Sequence, residues 1–317
     1  MQFENDYKEY IPTPIQRLSE NLNENDFYIK REDLFPISFG GNKARKALIF
    51  FEDALSKNAD YVVTYGSSSS NHCRVISNLA AAKGLRCVVI SPIEKNKTTY
   101  NSLMMKLFNS EIIYCQISEV KNTIEKKMSE LKNLGYNPYF IQGGGHGNLG
   151  TKAYVDVYNE IKNYEKNKGV YFDYIFHASG TGTTQAGLVC GSIIHGDNRK
   201  IIGISIARRN PYGEQIVLSS VNEYLKSIGV NCITNESIEF IDDYVLDGYE
   251  MYNKNILMTI KEVLTKDGIP MDTTYTGKAF WGMKEYIKKN NIRGKNILFI
   301  HTGGTPLFFD KIGELFL

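Results

Sequence analysis

Four glycine- or serine-rich segments have the residue types that bind phosphate or carboxylate groups. The strongest is Ser179–Leu188, which follows a predicted strand and opens a predicted helix. Its glycines allow tight turns, and successive backbone N–H groups then converge at the start of a helix, where they attract anions. We therefore predict a phosphate-binding cup formed by Ser179, Gly180, Thr181, Gly182, Thr183 and Thr184.

Two common nucleotide motifs fit the chain poorly. A dinucleotide fingerprint has the pattern G-x-G-x-x-G, and Gln185 stands where the third glycine is required. A P-loop ends in Lys followed by Ser or Thr, whereas Gly145–Lys152 ends in Thr followed by Lys. A nicotinamide oxidoreductase is therefore disfavoured. A glycine-rich turn without a ligand is the non-functional interpretation of the cup, and ten consecutive suitable residues argue against it.

A second segment, Gly40–Lys46, contains an amine that could react. It is preceded by Lys30–Asp33, and two glycines leave space in front of Lys43. A single lysine is normally solvated, so Lys43 gains a meaning only together with a phosphate cup elsewhere. A lysine with a lowered pKa can form an imine with an aldehyde cofactor.

Two further segments follow predicted strands. Gly66–Arg74 contains four serines where one would suffice to cap a helix. We therefore favour a role for its backbone and hydroxyl donors in binding a substrate carboxylate, although His72 taken alone is more typical of a structural histidine. His301–Pro306 follows the last predicted strand and fits a plain glycine turn equally well.

These segments are positioned by alternating strand-like and helix-like runs. Strands rich in β-branched and aromatic residues are predicted at Tyr61–Tyr65, Cys87–Ser91, Glu111–Cys115, Tyr139–Ile141, Tyr174–His177, Ile201–Ile206 and Ile297–His301. Helices are predicted at about Asn71–Lys83, Tyr100–Phe108, Val120–Leu134, Leu149–Glu165, Thr184–His195, Gly213–Ile228, Met251–Asp267 and Gly277–Asn290. This alternation is typical of parallel sheets covered by helices, so we predict an α/β fold. Pro12, Pro14 and Pro36 predict an irregular first forty residues.

Composition excludes several classes of protein. The net charge is +2, with 37 basic residues scattered among 35 acidic ones, so no nucleic-acid partner is expected. The five cysteines form no CxxC pair, which predicts neither a disulfide framework nor a metal site. No apolar run approaches ~20 residues, so no membrane span is expected. The polar N-terminus is unlike a signal peptide, and we expect a cytoplasmic protein.

Together the motifs resemble those of the aminocyclopropane-carboxylate deaminase and D-cysteine desulfhydrase family. Beside the four segments, the resemblance includes Pro12–Pro14, Asp242–Tyr244 and Asp272–Lys278, and thus nearly the whole chain. It implies a pyridoxal 5'-phosphate enzyme of fold type II, with two domains, three αβα layers and parallel-rich sheets. Residues 1–50 plus 155–317 would form the large cofactor-binding domain and residues 51–154 a small α/β domain. A homodimer acting on a small amino acid is also implied.

The resemblance implies roles for individual residues. Lys43 would carry the cofactor as a Schiff base and, with Tyr275 and Tyr249, serve catalysis; either Lys43 or Tyr275 would remove the α-proton. The amides of Gly180–Thr184 would hold the phosphate. The other implied contacts are Asn71 with the ring hydroxyl, Thr302 near the pyridine nitrogen, and Ser70, Asn71 and His72 with the substrate carboxylate.

The residue after Tyr275 separates the two activities of that family. Its ring-opening deaminases have glutamate there and its desulfhydrases have threonine, as this chain does at Thr276. Thr276 therefore predicts β-elimination from a D-amino acid such as D-cysteine, yielding a 2-oxo acid, ammonia and the β-group. The alternatives are a β-replacement synthase, an aminocyclopropane-carboxylate deaminase and a non-catalytic cofactor carrier. The chain departs from the family pattern at His146, Leu246–Glu250 and Thr305-Pro306, and we expect these changes to line the substrate pocket.

Overall fold

The computed structural model describes residues 7, 9–234 and 237–316, without the side chain of Lys95. Its strands are β1 (Ile15–Arg17), β2 (Asp26–Arg31), β3 (Tyr61–Tyr65), β4 (Arg86–Pro92), β5 (Glu111–Cys115), β6 (Pro138–Phe140), β7 (Tyr174–Ser179), β8 (Lys200–Ser205), β9 (Glu239–Ile241) and β10 (Asn296–His301). Its α-helices are α1 (Asn42–Ser56), α2 (Asn71–Ala82), α3 (Tyr100–Leu107), α4 (Val120–Asn133), α5 (Asn148–Lys168), α6 (Thr183–His195), α7 (Tyr212–Ser227), α8 (Lys254–Asp267), α9 (Thr276–Lys289) and α10 (Thr305–Asp310).

The larger sheet has six strands in the order β1-β2-β10-β7-β8-β9. All neighbours in it are parallel except β1 and β2. Successive side chains of a strand point to opposite faces, so the fully buried Ile175 and Phe176 of β7 enter different cores. One core packs against α8 and α9 and the other against α5, α6 and α7, which makes three layers.

The smaller sheet has four parallel strands in the order β5-β4-β3-β6. Val62 and Val63 of β3 are both fully buried and again lie in two cores, one shared with α1 and α2, the other with α4. Both sheets are therefore covered on both faces, as all-parallel sheets must be. The predicted α/β fold with parallel-rich sheets is confirmed.

The prediction of an irregular N-terminal region was wrong for β1 and β2, and α1 was not predicted. Strand β2 is created by pairing with β10 about 270 residues later, in the register Asp26 to Asn296, which no local pattern reveals. Arg45 and Lys46 of α1 are buried. Because these two charged residues lie on the buried face of α1, the sequence of that face does not look apolar. Lys30 of β2 is likewise buried, with Glu160 at 2.6 Å.

The smaller sheet is formed by residues between the strands of the larger one. The predicted domain limits at residues 50 and 154 fall inside α1 and α5, and we keep this division as a proposal. Residues 1–6, 8, 235–236 and 317 of that division lie outside the described part of the chain. Among the residues that are described, no helix is long and apolar enough to cross a bilayer.

Candidate active site

A cavity of about 360 Å³ lies beyond the carboxyl ends of strands from both sheets. In α/β proteins this is the side where ligands bind, because loops and helix N-termini converge there. The predicted site residues that line it are Lys43, Ser70, Asn71, His72, Ser179, Gly180, Thr181, Gly182, Thr184, Tyr249, Tyr275 and Thr302. Thr183 and Thr276, which were also predicted, are buried but are not among the described lining residues.

The Lys43 amine projects into this cavity from the first turn of α1. Its Nζ donates a hydrogen bond to the Gly144 carbonyl at 2.9 Å. Burial, with a smaller contribution from the positive charge of Arg208, lowers the pKa of Lys43 to about 8. Gly41 allows α1 to begin here: its φ is 93°, and an added Cβ would lie 2.6 Å from the Thr302 carbonyl. The result is an amine that is partly neutral near pH 7 and able to attack a carbonyl.

The predicted cup joins β7 to α6. Gly182 occupies the N-cap position with a φ of 93°, and the N–H groups of the first turn have no partner inside the helix. Asn42 Nδ2 donates to Thr184 Oγ1 at 3.0 Å and so ties α1 to the cup. Ser179 Oγ donates to Gln185 Oε1 at 3.0 Å. Gln185 therefore holds the Ser179 side chain at the start of the cup.

Lys46 is a second buried amine, on the same helix as Lys43. Its Nζ is buried and has no hydrogen-bond partner among the described residues. Burial, followed by the charge of Lys43, holds the pKa of Lys46 well below its usual value. The Gly144–Gly145 turn lies between Thr181 and Lys46, since added Cβ atoms there would lie 2.7 Å from Thr181 Cγ2 and 3.2 Å from Lys46 Cδ. Lys46 is not among the described residues that line the cavity, and its Nζ lies 5.7 Å from the centre of the Tyr154 ring.

The serine segment begins α2. Ser70 Oγ accepts from the Cys73 N–H at 3.2 Å, so Ser70 caps the helix as well as lining the cavity. Thr64 Oγ1 donates its single proton to the Ile141 carbonyl at 2.8 Å and therefore accepts from His72 Nε2, also at 2.8 Å. Burial holds the pKa of His72 well below its usual value, which leaves Nδ1 without a proton. A substrate carboxylate here would thus be held by backbone N–H groups, and the imidazole of His72 would not donate to it.

The two predicted tyrosines, Tyr249 and Tyr275, both line the cavity and contact each other. Their hydroxyl oxygens are 2.5 Å apart, and burial raises the pKa of both Tyr249 and Tyr275. Asp272 accepts from the N–H groups of Tyr275 and Thr276 at 2.7 and 3.1 Å, which fixes the turn that carries Tyr275. The Thr276 hydroxyl donates to Asp272 Oδ2 at 2.9 Å. Thr276 thus supports this turn, and its direct contact with a substrate stays a prediction.

Sequence reasoning did not identify Arg208 and Tyr65, which line the cavity, or the contact of Glu250 with Ser69. Arg208 lines the cavity, and its Nη1 has no hydrogen-bond partner within the described ranges. The sequence signal that could have identified Arg208 was its position three residues after the end of β8. Tyr65, the last residue of β3, packs against Gly143, where an added Cβ would lie 2.7 Å from its Cζ. Glu250, in the segment that departs from the family pattern, accepts from Ser69 Oγ at 2.7 Å.

Comparison with known proteins gives a consistent result. A family model described as "Pyridoxal-phosphate dependent enzyme" matches residues 7–303. A "Putative 1-aminocyclopropane-1-carboxylate deaminase" of Pyrococcus abyssi is 35% identical, with 94% of this chain and 90% of that protein covered. A "D-cysteine desulfhydrase" of Serratia proteamaculans is 33% identical, with 94% of this chain and 92% of that protein covered.

Two solved structures are also similar. A crystal structure described as an ACC deaminase homologue has a TM-score of 0.87 at 34% identity, covering 96% of this chain and 93% of that one. Escherichia coli diaminopropionate ammonia lyase in apo form has a TM-score of 0.67 and covers 99% of this chain and 87% of that one. Its identity is 16%, so this second similarity shows the fold alone.

Proposed function

Since the chain belongs to the pyridoxal-phosphate dependent enzyme family, we propose that it catalyses β-elimination from a D-amino acid such as D-cysteine. The predictions of this cofactor and of fold type II are confirmed. The observation that carries the proposal is a buried amine of lowered pKa, that of Lys43, in one cavity with a phosphate cup and two bonded tyrosine hydroxyls. Relatives named D-cysteine desulfhydrase support the choice of substrate.

Lys43 is the residue to which the cofactor would be attached. When bound, pyridoxal phosphate supplies a carbonyl for amines and a ring that withdraws electrons from the substrate α-carbon. The cup at Gly180–Thr184 would hold its phosphate. Once freed by the incoming amino group of the substrate, the Lys43 amine can take the α-proton, because its pKa of about 8 makes it a base near neutral pH.

The tyrosine pair is suited to donate a proton rather than to remove one. Because burial raises the pKa of Tyr249 and Tyr275, both hydroxyls keep their protons at neutral pH. This favours Lys43 over Tyr275 as the base and makes the pair a donor to the departing sulfur. With D-cysteine, the α-proton and the C–S bond are lost, and water then replaces the amino group. The products are hydrogen sulfide, ammonia and pyruvate.

The proposal is tested by assaying the cofactor-loaded enzyme on D-cysteine, β-chloro-D-alanine, L-cysteine and aminocyclopropane carboxylate. Pyruvate is expected from the two D-amino acids, with little 2-oxobutyrate from the cyclopropane, and Lys43→Ala is the inactive control. Strong 2-oxobutyrate release would overturn the argument from Thr276. No pyruvate from any β-substituted D-amino acid, together with a new amino acid when a thiol is added, would establish the β-replacement alternative.

We also propose a homodimer located in the cytoplasm. The homodimer is supported by an exposed apolar patch on α3 and α10, which contains Leu103, Leu107 and Phe309. The two helices are joined there by a 2.9 Å hydrogen bond from the Tyr100 N–H to Asp310 Oδ1. Light scattering would show the mass of two chains, and Leu107→Glu would reduce it to one. The cytoplasm is supported by five free cysteines, of which Cys232 is exposed.

A further inference from the structure

A buried polar cluster connects α2 with α3 directly behind the cavity. Asn71 Oδ1 accepts two hydrogen bonds, from Arg74 Nη1 at 2.9 Å and from Asn101 Nδ2 at 3.0 Å. Arg74 Nη1 also donates to Asn101 Oδ1 at 2.9 Å, and Asn101 Nδ2 donates to the Ser69 carbonyl at 2.7 Å. Arg74 and Asn101 are completely buried.

This cluster determines which way the Asn71 amide faces. A carboxamide has one oxygen that accepts and one NH₂ group that donates. Rotating the Asn71 amide by half a turn would place its NH₂ group against two other N–H groups and break both hydrogen bonds. Its oxygen is therefore held at the cluster. Asn71 also lines the cavity, so its NH₂ group is the end available to a ligand.

Among the residues that the structure describes, Arg74 has no carboxylate partner to account for its burial. Its Nε and Nη2 atoms are buried and have no hydrogen-bond partner in the described part of the chain, and the partners of its Nη1 are the two neutral asparagines. Burial lowers the pKa of Arg74 to about 9. Burying a cation with neutral partners alone costs free energy, which packing by an apolar residue would avoid. This cost indicates that Arg74 serves the site rather than the stability of α2.

We propose that Arg74 and Asn101 are positioning residues, which lock Asn71 as a hydrogen-bond donor toward an anionic oxygen in the cavity. The inference rests on the proposed function, in which that oxygen belongs to the cofactor ring. A fixed donor stabilises the ionised oxygen over the protonated one. It therefore strengthens cofactor binding and lowers the pH at which the absorbance of the bound cofactor changes.

The decisive variant is Asn101→Asp. Its carboxylate still accepts from Arg74 but cannot donate to Asn71 Oδ1, so the Asn71 amide loses one of the two hydrogen bonds that fix its orientation and its oxygen faces a second acceptor. Arg74→Lys is a second variant, which keeps the charge and changes the donor geometry. Ser102→Ala is the matched control on the same helix, because the Ser102 side chain bonds only within the cap of α3, to Thr99.

Two readouts besides turnover are measured on each variant: cofactor affinity by absorbance titration, and the pH midpoint of the bound cofactor's absorbance. Asn101→Asp is expected to weaken affinity about tenfold and to raise the midpoint by about one pH unit, as for the loss of one hydrogen bond to a charged group. Ser102→Ala should stay within about twofold of the wild type.

The two proposals fail in different ways. If Asn71→Ala changes both readouts while folded Asn101→Asp and Arg74→Lys change neither, the positioning role is wrong and the cofactor contact of Asn71 stands. If Asn71→Ala changes neither readout, the positioning role is also wrong. The proposed function fails separately, if the wild type with a normal cofactor spectrum releases no keto acid from any substrate.

Discussion

The pH dependence of cofactor attachment tests the assignment of Lys43 directly. Only the neutral amine attacks a carbonyl, so the attachment rate follows the neutral fraction of Lys43. With a pKa of about 8, about one Lys43 amine in ten is neutral at pH 7. At the ordinary lysine value of 10.5 the fraction would be about one in three thousand, so burial raises the reactive fraction about 300-fold.

The sign follows from the causes of the shift. Burial disfavours the ammonium form, and the like charge of Arg208 disfavours it further. The attachment rate should therefore rise about tenfold per pH unit below pH 8 and level off above it. Arg208→Met removes the like charge, so it should raise the pKa of Lys43 and move the midpoint to higher pH.

The measurement is stopped-flow absorbance after mixing apo-enzyme with pyridoxal phosphate between pH 6 and pH 10. Lys43→Ala is the control, and it should lose the yellow colour and form no adduct on borohydride reduction. A rate that keeps rising tenfold per unit up to pH 10 would contradict the effect of burial. A reducible adduct at full occupancy in Lys43→Ala would show that another lysine, with Lys46 the nearest, holds the cofactor.

Three further outcomes are expected. Replacing Thr181 and Thr183 together by leucine should weaken cofactor affinity with less effect on turnover at saturation, since phosphate contacts are alike in ground and transition states; unchanged affinity in a titration would exclude the cup. Tyr275→Phe removes the 2.5 Å contact between the two tyrosine hydroxyls and should slow pyruvate release about 100-fold without altering the cofactor absorbance. A much smaller effect would show that Tyr275 has no catalytic role. Glu32→Ala removes a fully buried carboxylate that lies 2.9 Å from Arg45. It should lower the free energy of unfolding by about 3–5 kcal/mol in a urea titration, because the buried charge of Arg45 loses a partner. A loss below about 1 kcal/mol would mean that other groups compensate the charge of Arg45.

The sequence by itself determined the order of the motifs and the local elements other than β1, β2, β9, α1 and α10. Helix α6 was predicted at Thr184–His195 and is observed at Thr183–His195, because hydrophobic periodicity and glycine positions are local signals. The same signals indicated the phosphate cup and the strand before it. The family resemblance supplied the cofactor, which the comparisons confirm.

Only the tertiary structure decided which of these residues face the cavity. Lys43 donates a hydrogen bond to the carbonyl of Gly144, which lies 101 residues later in the sequence. That the Lys46 amine has no hydrogen-bond partner among the described residues follows only from its three-dimensional surroundings. Tyr275 and Thr276 are adjacent, yet the first lines the cavity and the second bonds to Asp272. The physical reason is that the periodicity of hydrophobic residues specifies secondary structure. The direction and the partners of a polar side chain depend instead on how two separate sheets pack around one cavity.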